Sequence, residues 1–151
     1  MADVPRFTDA KDGTIQDTRT GLTWCREDSW QSEAKWVTWD EAIEHARRQC
    51  DLKLGGYNDW RLPTREEALT LLVPEASNKD KYGSDIQLPS VFPEGSLPTT
   101  WTQEGITGND SYILDFRNGE VRSLFKSKTG RMAVRPVRGK WIPDSKNSDL
   151  P

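Results

Sequence analysis

The chain has 151 residues, which suits a single domain, and no stretch approaches the roughly 18 apolar residues of a membrane-spanning helix. Charged residues make up 30% and hydrophobic ones 34%, a polar balance that seven tryptophans offset with large buried areas per residue. The formal charge of −3 hides an asymmetry: residues 117–140 carry eight bases and one acid, a local +7 that leaves −10 for the remainder.

Residues 1–11 read as an N-terminal extension to a single domain over 12–141. The opening MADVPRFTDAKDG is polar and has no apolar signal core, so the chain is either cytoplasmic or one whose signal has been removed. Asp12-Gly13 marks a turn. Thr14–Asp17 and Leu22–Trp24 then read as short strands joined at Thr20-Gly21. A polar connector holds Trp30 and Trp36. Thr38-Trp-Asp-Glu41 is a capping box, and Trp39, Ala42, Ile43, Ala46 and Cys50 recur behind it on one helical face. Gly55-Gly56 stops that helix or its tail.

A second capping box, Thr64-Arg-Glu-Glu67, opens a short helix with Ala68, Leu71 and Leu72 as its stripe and Pro74 as its end. Residues 74–98 form a long polar loop, pinned by Ile86, Leu88, Val91 and Phe92. Strands follow at Thr99–Thr102 around Trp101, at Ser111–Phe116, and at Val121–Phe125 after the Asn118-Gly119 hairpin turn. Arg131–Arg138 reads as the last strand, with Pro136 at an edge or bulge. From 142 onward the polar tail reads as disordered. The pattern is α+β, with two short helices packed on small antiparallel sheets and long loops between them.

The residues that carry chemistry are few. Asp59, Trp60 and Arg61 stand together between the two helices, ahead of Glu66 and Glu67. An arginine so placed reads as a brace held by carboxylates and carbonyls, with Trp60 packed beneath it. His45, the one histidine, looks exposed on the first helix. The chain has no G-x-S-x-G, H-E-x-x-H, P-loop or dinucleotide fingerprint, so no catalysis is expected. Two cysteines and one histidine are too few for a zinc site. Asn109, Asp110 and Asp115, or Asp80 and Asp85, offer oxygen ligands, but their spacing matches no calcium loop, and neither metal nor cofactor is expected. Cys25 and Cys50 are either bridged or two buried thiols. A disulfide is the expectation, because one lies on an early strand and the other on the inner face of the first helix. It would place the chain in an oxidising compartment.

The basic run is either a solvated face or a local anion-binding surface. Arg122, Lys126, Lys128 and Arg131, around the loop after the hairpin, are the candidate ligand residues, because arginine and lysine pair with sulfate through charge-assisted hydrogen bonds. Trp101 with the long loop is the candidate lining of a neutral-sugar pocket.

In chain order, DGTIQDTRTGLTW, TWDEAIEHA, GGYNDWRLPTREEALTLL, DFRNGEV and VRPVRG resemble the C-terminal domain family of the Legionella collagen-like adhesin, over about Asp12 to Gly139. That family is similar to C-type-lectin-like folds and, through R-L-P-T-x-x-E, to the sulfatase-modifying-factor fold. The resemblance implies an extracellular or periplasmic recognition module, and in the founding adhesin the domain is associated with sulfated glycosaminoglycans. The expected partner is therefore an anionic polysaccharide. The alternative is a protein partner, with the domain an interaction or structural accessory module of a larger envelope assembly. A homo-oligomer is possible, and neither nucleic acid nor a membrane span is expected. Arg135 and Arg138, inside the VRPVRG motif, are expected to bond to loops. The sulfatase-modifying chemistry uses cysteines late in its fold, and this chain has none after Cys50.

Overall fold

The computed structural model of the protein describes residues 5–128 and 130–142, with the side chains of 104–107 outside that description. Three small antiparallel sheets and three short helices make an α+β domain. The first sheet runs in the order β1 (Phe7–Asp9), β2 (Thr14–Asp17), β3 (Thr23–Cys25), β9 (Val137–Arg138). A two-stranded ribbon pairs β4 (Asn78–Lys79) with β5 (Asp85–Ile86). The third sheet is a meander of β6 (Thr99–Thr107), β7 (Asp110–Asp115) and β8 (Glu120–Phe125). Residues 7–9 of the expected extension thus belong to the fold: Phe7 pairs with Asp17 across the β1–β2 ladder. The remainder of the expected tail, from 143, lies outside the described residues.

Both predicted capping boxes form. Thr38 Oγ1 accepts from the Glu41 N–H at 3.2 Å, and Thr64 Oγ1 from the Glu67 N–H at 3.0 Å. They open α2 (Trp39–Leu52) and α3 (Arg65–Leu69). A third box, Asp28-Ser-Trp-Gln31, opens α1 (Ser29–Glu33) inside the expected connector. Its cap also secures the long loop. Asp28 Oδ2 accepts from the Leu97 N–H at 2.9 Å, and the Gln31 amide reaches the carbonyls of Pro93 and Glu94. Helix α2 ends on Lys53, a non-glycine residue at φ 52°, and a 3-10 turn over Leu54–Gly56 follows.

Two apolar clusters fill the interior. One joins Ile15, Leu22 and Trp24 to Leu71, Ile86, Leu88 and Phe92, so three of the four loop pins are fully buried, with Val91 packed against them. The other packs Ala42 and Ala46 of α2 against Leu62, Ile113, Met132, Val134 and Trp101. His45 is buried, not exposed, because α2 turns it inward with Ala42, Ala46 and Gln49. Its Nδ1 lies 3.3 Å from Glu33 Oε1, and Glu33 is also held by Arg48. Burial pushes the His45 pKa below its ordinary 6.5, against the pull of Glu33.

The cysteines are free thiols, contrary to the expected bridge. Cys25 lies buried under strand pairing, and burial raises its pKa. Cys50 Sγ turns instead to the backbone of Trp60, 3.1 Å from its N–H.

The brace at Arg61 forms with a different acid than the one named first. Glu67, not Glu66, takes both ends of its guanidinium, at 2.7 and 2.9 Å. The reason is the helix cap: Glu67 occupies the third position of α3, where its side chain folds back to the Thr64 N–H at 2.9 Å and so meets Arg61. Glu66 stays on the exposed face. Arg61 also donates to the Gly139 carbonyl at 2.8 Å, and its backbone exchanges both hydrogen bonds with Val137. Trp60 is buried, with Nε1 on the Leu54 carbonyl, and Asp59 holds Arg138 bidentately at 2.8 and 2.9 Å.

Two outcomes follow from these contacts. Arg61→Ala leaves Glu67 buried without its partner, so it should cost about 3 kcal/mol and lower the melting temperature by several degrees; Glu66→Ala should cost under about 0.5 kcal/mol. Thermal denaturation of both variants checks the pair. For His45 the unfolded chain takes up the proton first, so its contribution to stability is present above about pH 6.5 and is lost as the pH falls toward the lower folded value. Melting temperature against pH should therefore decline below 6.5, and His45→Gln should flatten that part of the curve.

Candidate anion-binding site

Asp115 organises the surface where the basic run collects. It closes β7, is fully buried, and accepts four hydrogen bonds: three from Arg117, including the backbone N–H at 2.9 Å, and one from Arg122 Nη1 at 2.9 Å. The Asn118-Gly119 turn makes this possible by folding β8 back so that Arg122 lies near the end of β7. Burial alone would raise the Asp115 pKa, but the bonds from Arg117 and Arg122 outweigh it and hold the carboxyl below its ordinary range. The acid is therefore a charged anchor that fixes two guanidiniums at the surface, each with close to half its side chain exposed. Arg122 also reaches Glu120 at 3.4 Å, again through Nη1, so its other nitrogens stay unengaged among the described residues.

Beside this pair the chain leaves β8 and turns. Lys128 and Arg131 project from that turn into the same cleft, of about 350 Å³, with Tyr82 of the long loop and Thr99 of β6 along its walls. Neither Lys128 nor Arg131 meets an acid among the described residues. The Arg131 guanidinium instead lies 5.3 Å from the Tyr82 ring centre, and the Lys81 ammonium lies 5.3 Å from the same ring centre. Arg131 sits at φ 63°, in the left-handed region that a Cβ disfavours by about 1–2 kcal/mol. That strained turn is what aims its side chain at Tyr82.

Three of the four predicted residues, Arg122, Lys128 and Arg131, thus share one cleft. Arg117, which sequence reasoning passed over, joins them; its place two residues after Asp115 and directly ahead of Asn118-Gly119 was the available signal. Lys126 does not join. It lies one residue past β8, where its backbone bonds the Trp39 N–H and the Asn109 carbonyl, and its Nζ stacks 4.1 Å from the Trp39 ring in a separate groove of about 530 Å³ bordered by Phe125. Trp101 is a core residue. It is fully buried, and its Nε1 donates to the Val37 carbonyl at 2.9 Å, so it presents no face to a ligand.

Three of the acids considered for calcium take part in other contacts. Asp80 closes a turn by accepting from the Tyr82 and Ser84 N–H groups, Asp85 pairs with Lys79, and Asp115 is held by its arginines. Arg135 and Arg138 bond to loops, as the VRPVRG motif suggested. Arg135 is buried and donates to the carbonyls of Cys25 and Arg26, and Arg138 takes Asp59.

The model of one protein family, described as the Lcl C-terminal domain, matches residues 13–138. The chain belongs to that family. The match spans the Arg61–Glu67 brace, the Asp115 anchor and the cleft, and it makes this Lcl C-terminal domain an adhesin-associated module. No curated protein matches the chain.

The strained turn supplies a test of the cleft's construction. Arg131→Ala and Arg131→Gly remove the same charge, but only glycine relieves the backbone. The glycine variant should be more stable than the alanine variant by about 1 kcal/mol, measured by urea denaturation.

Proposed function

We propose that this domain is a non-catalytic recognition module that holds an anionic, sulfated glycan in the cleft of Arg117, Arg122, Lys128 and Arg131. The observation that carries the reading is the pairing of two kinds of cation in one place. Arg117 and Arg122 are pre-positioned by Asp115, and Lys128 and Arg131 meet no acid among the described residues. A sulfate there gains charge-assisted hydrogen bonds from a fixed guanidinium and from an uncompensated cation at once. The ring of Tyr82, half exposed, gives the sugar a surface to lie against.

The scaffold on this reading is C-type-lectin-like, supported by a first sheet that contains both the first strand, β1, and the last, β9, and by the long loops that border the cleft. A non-catalytic role is supported by the groups that chemistry would need. His45 is buried against Glu33, and burial raises the pKa of the Cys25 thiol. The reading calls for no cofactor or metal, and it places the domain outside the cell or in the periplasm, as family membership in an adhesin-associated group suggests.

Exposed ion pairs contribute only about 0–1 kcal/mol each, so one domain should bind weakly and useful adhesion should need several copies together. The test is retention on immobilised heparin over a salt series. Wild type should elute earlier as salt rises, because exposed charges are screened over about 10 Å at 0.1 M. Lys128→Ala combined with Arg131→Gly should lose most of the retention, and Lys126→Ala, outside the cleft, should keep it. Equal retention of wild type and the double variant at low salt would remove the cleft from the reading.

A further inference from the structure

A second groove, of about 310 Å³, opens between α2 and the Trp60–Leu62 segment. Trp39, Ile43, Trp60 and Leu62 make its walls, and none of them belongs to the basic cleft. These walls are set before any ligand arrives. Trp39 Nε1 donates to the Thr102 carbonyl at 2.9 Å and Trp60 Nε1 to the Leu54 carbonyl at 3.1 Å. Both indoles therefore have their one donor satisfied, and only carbon surface remains for the groove.

Three polar side chains reach the rim, and two are already committed. Gln103 gives its amide to the Leu62 carbonyl at 3.1 Å, and Arg61 is held by Glu67 and the Gly139 carbonyl. The third, Arg47, is exposed on α2 and makes no ion pair or side-chain hydrogen bond among the described residues. An apolar slot with one uncommitted cation complements one chemical pattern: a flat apolar body carrying a single negative charge. The volume lies at the small end of ligand sites, suited to a one- or two-ring molecule. A polyanion fits badly, because Asp40, Glu41, Glu44 and Asp51 are exposed on the same helix and would repel its further charges.

We propose that this groove is a second ligand site, specific for a small aromatic carboxylate, with the half-buried Trp39 indole covering the ring, the edges of the buried Trp60 and Leu62 at the groove's floor, and Arg47 as the counter-ion. The complementarity resides in geometry that the glycan reading does not use, so the two proposals stand or fall separately.

The experiment titrates the isotope-labelled full chain with three probes of matched shape: indole-3-acetate, neutral indole and cationic tryptamine. The indole N–H signals of Trp39 and Trp60 should shift saturably. Indole-3-acetate should bind about five-fold more tightly than indole, the scale of one exposed charge pair, and tryptamine should bind most weakly. Arg47→Glu should reverse that order without changing the melting temperature, because Arg47 is exposed and unpaired. Ile43→Trp, which fills the slot, should abolish the shifts, and the Lys128→Ala/Arg131→Gly variant should bind indole-3-acetate as wild type does. Equal affinity for the three probes would overturn the proposal, as would an unchanged order in Arg47→Glu or shifts confined to the basic cleft.

Discussion

The backbone of residues 132–139 is almost entirely buried, yet only its last part joins a sheet. Every polar group along it must still find a partner, since an unpaired buried N–H or carbonyl costs as much as a lost hydrogen bond. The partners come from across the molecule. The Met132 carbonyl takes the Val37 N–H, Ala133 takes Trp101, Val134 takes Ser29 and Pro136 takes Cys25. Val137 exchanges two bonds with Arg61, and the Gly139 carbonyl takes the Arg61 guanidinium. One extended segment thereby fixes β3, the start of α1, the approach to α2, β6 and the approach to α3. The Arg61–Glu67 pair is the clamp at its end, and it makes the cap of α3 and the closing of β9 a single event.

The same constraint sorts the charges. Of the eight bases in residues 117–140, Arg135 is buried under loop carbonyls and Arg138 is paired with Asp59. Lys126 lies on Trp39, and Arg117 and Arg122 share Asp115. The formal excess of the run is therefore no continuous basic face. Apart from Lys140, exposed at the end of the run, it narrows to one cleft in which Lys128 and Arg131 meet no acid among the described residues, beside two arginines held in place by a buried acid. Recognition on such a surface depends on the anchor as much as on the cations, because Asp115 sets where two of the guanidiniums stand.

The two grooves divide the chemistry of the surface. The basic cleft is built from the β7–β8 hairpin and a strained turn, and it is rich in donors. The groove beside α2 is built from indoles whose polar edges are already bonded, and it is rich in carbon surface. A charged, hydrated polyanion would be refused by the groove beside α2, where Asp40, Glu41, Glu44 and Asp51 are exposed on the same helix.

The sequence by itself determined what rests on neighbours a few residues away. The capping boxes at Thr38 and Thr64, the Asn118-Gly119 hairpin and the brace at Arg61 all depend on local backbone geometry, and all were legible. So was the family, because its motifs are short and ordered along the chain. A third cap at Asp28-Ser-Trp-Gln31 was equally local and was passed over because it lay among polar residues with no apolar stripe behind it. Other features were decided only by the tertiary structure. Helical spacing cannot say how wide the buried arc of α2 is, so His45 looked exposed until α1 brought Glu33 against it. Trp101 and Arg135 are large side chains whose burial depends on what packs over them from distant segments. The division of the basic run into buried, paired and uncompensated members depended on which groups the fold carries within reach, as when Asp59 meets Arg138 from 79 residues away. Charge counts along a chain do not contain that information, because a charge–charge contact is a property of position in space.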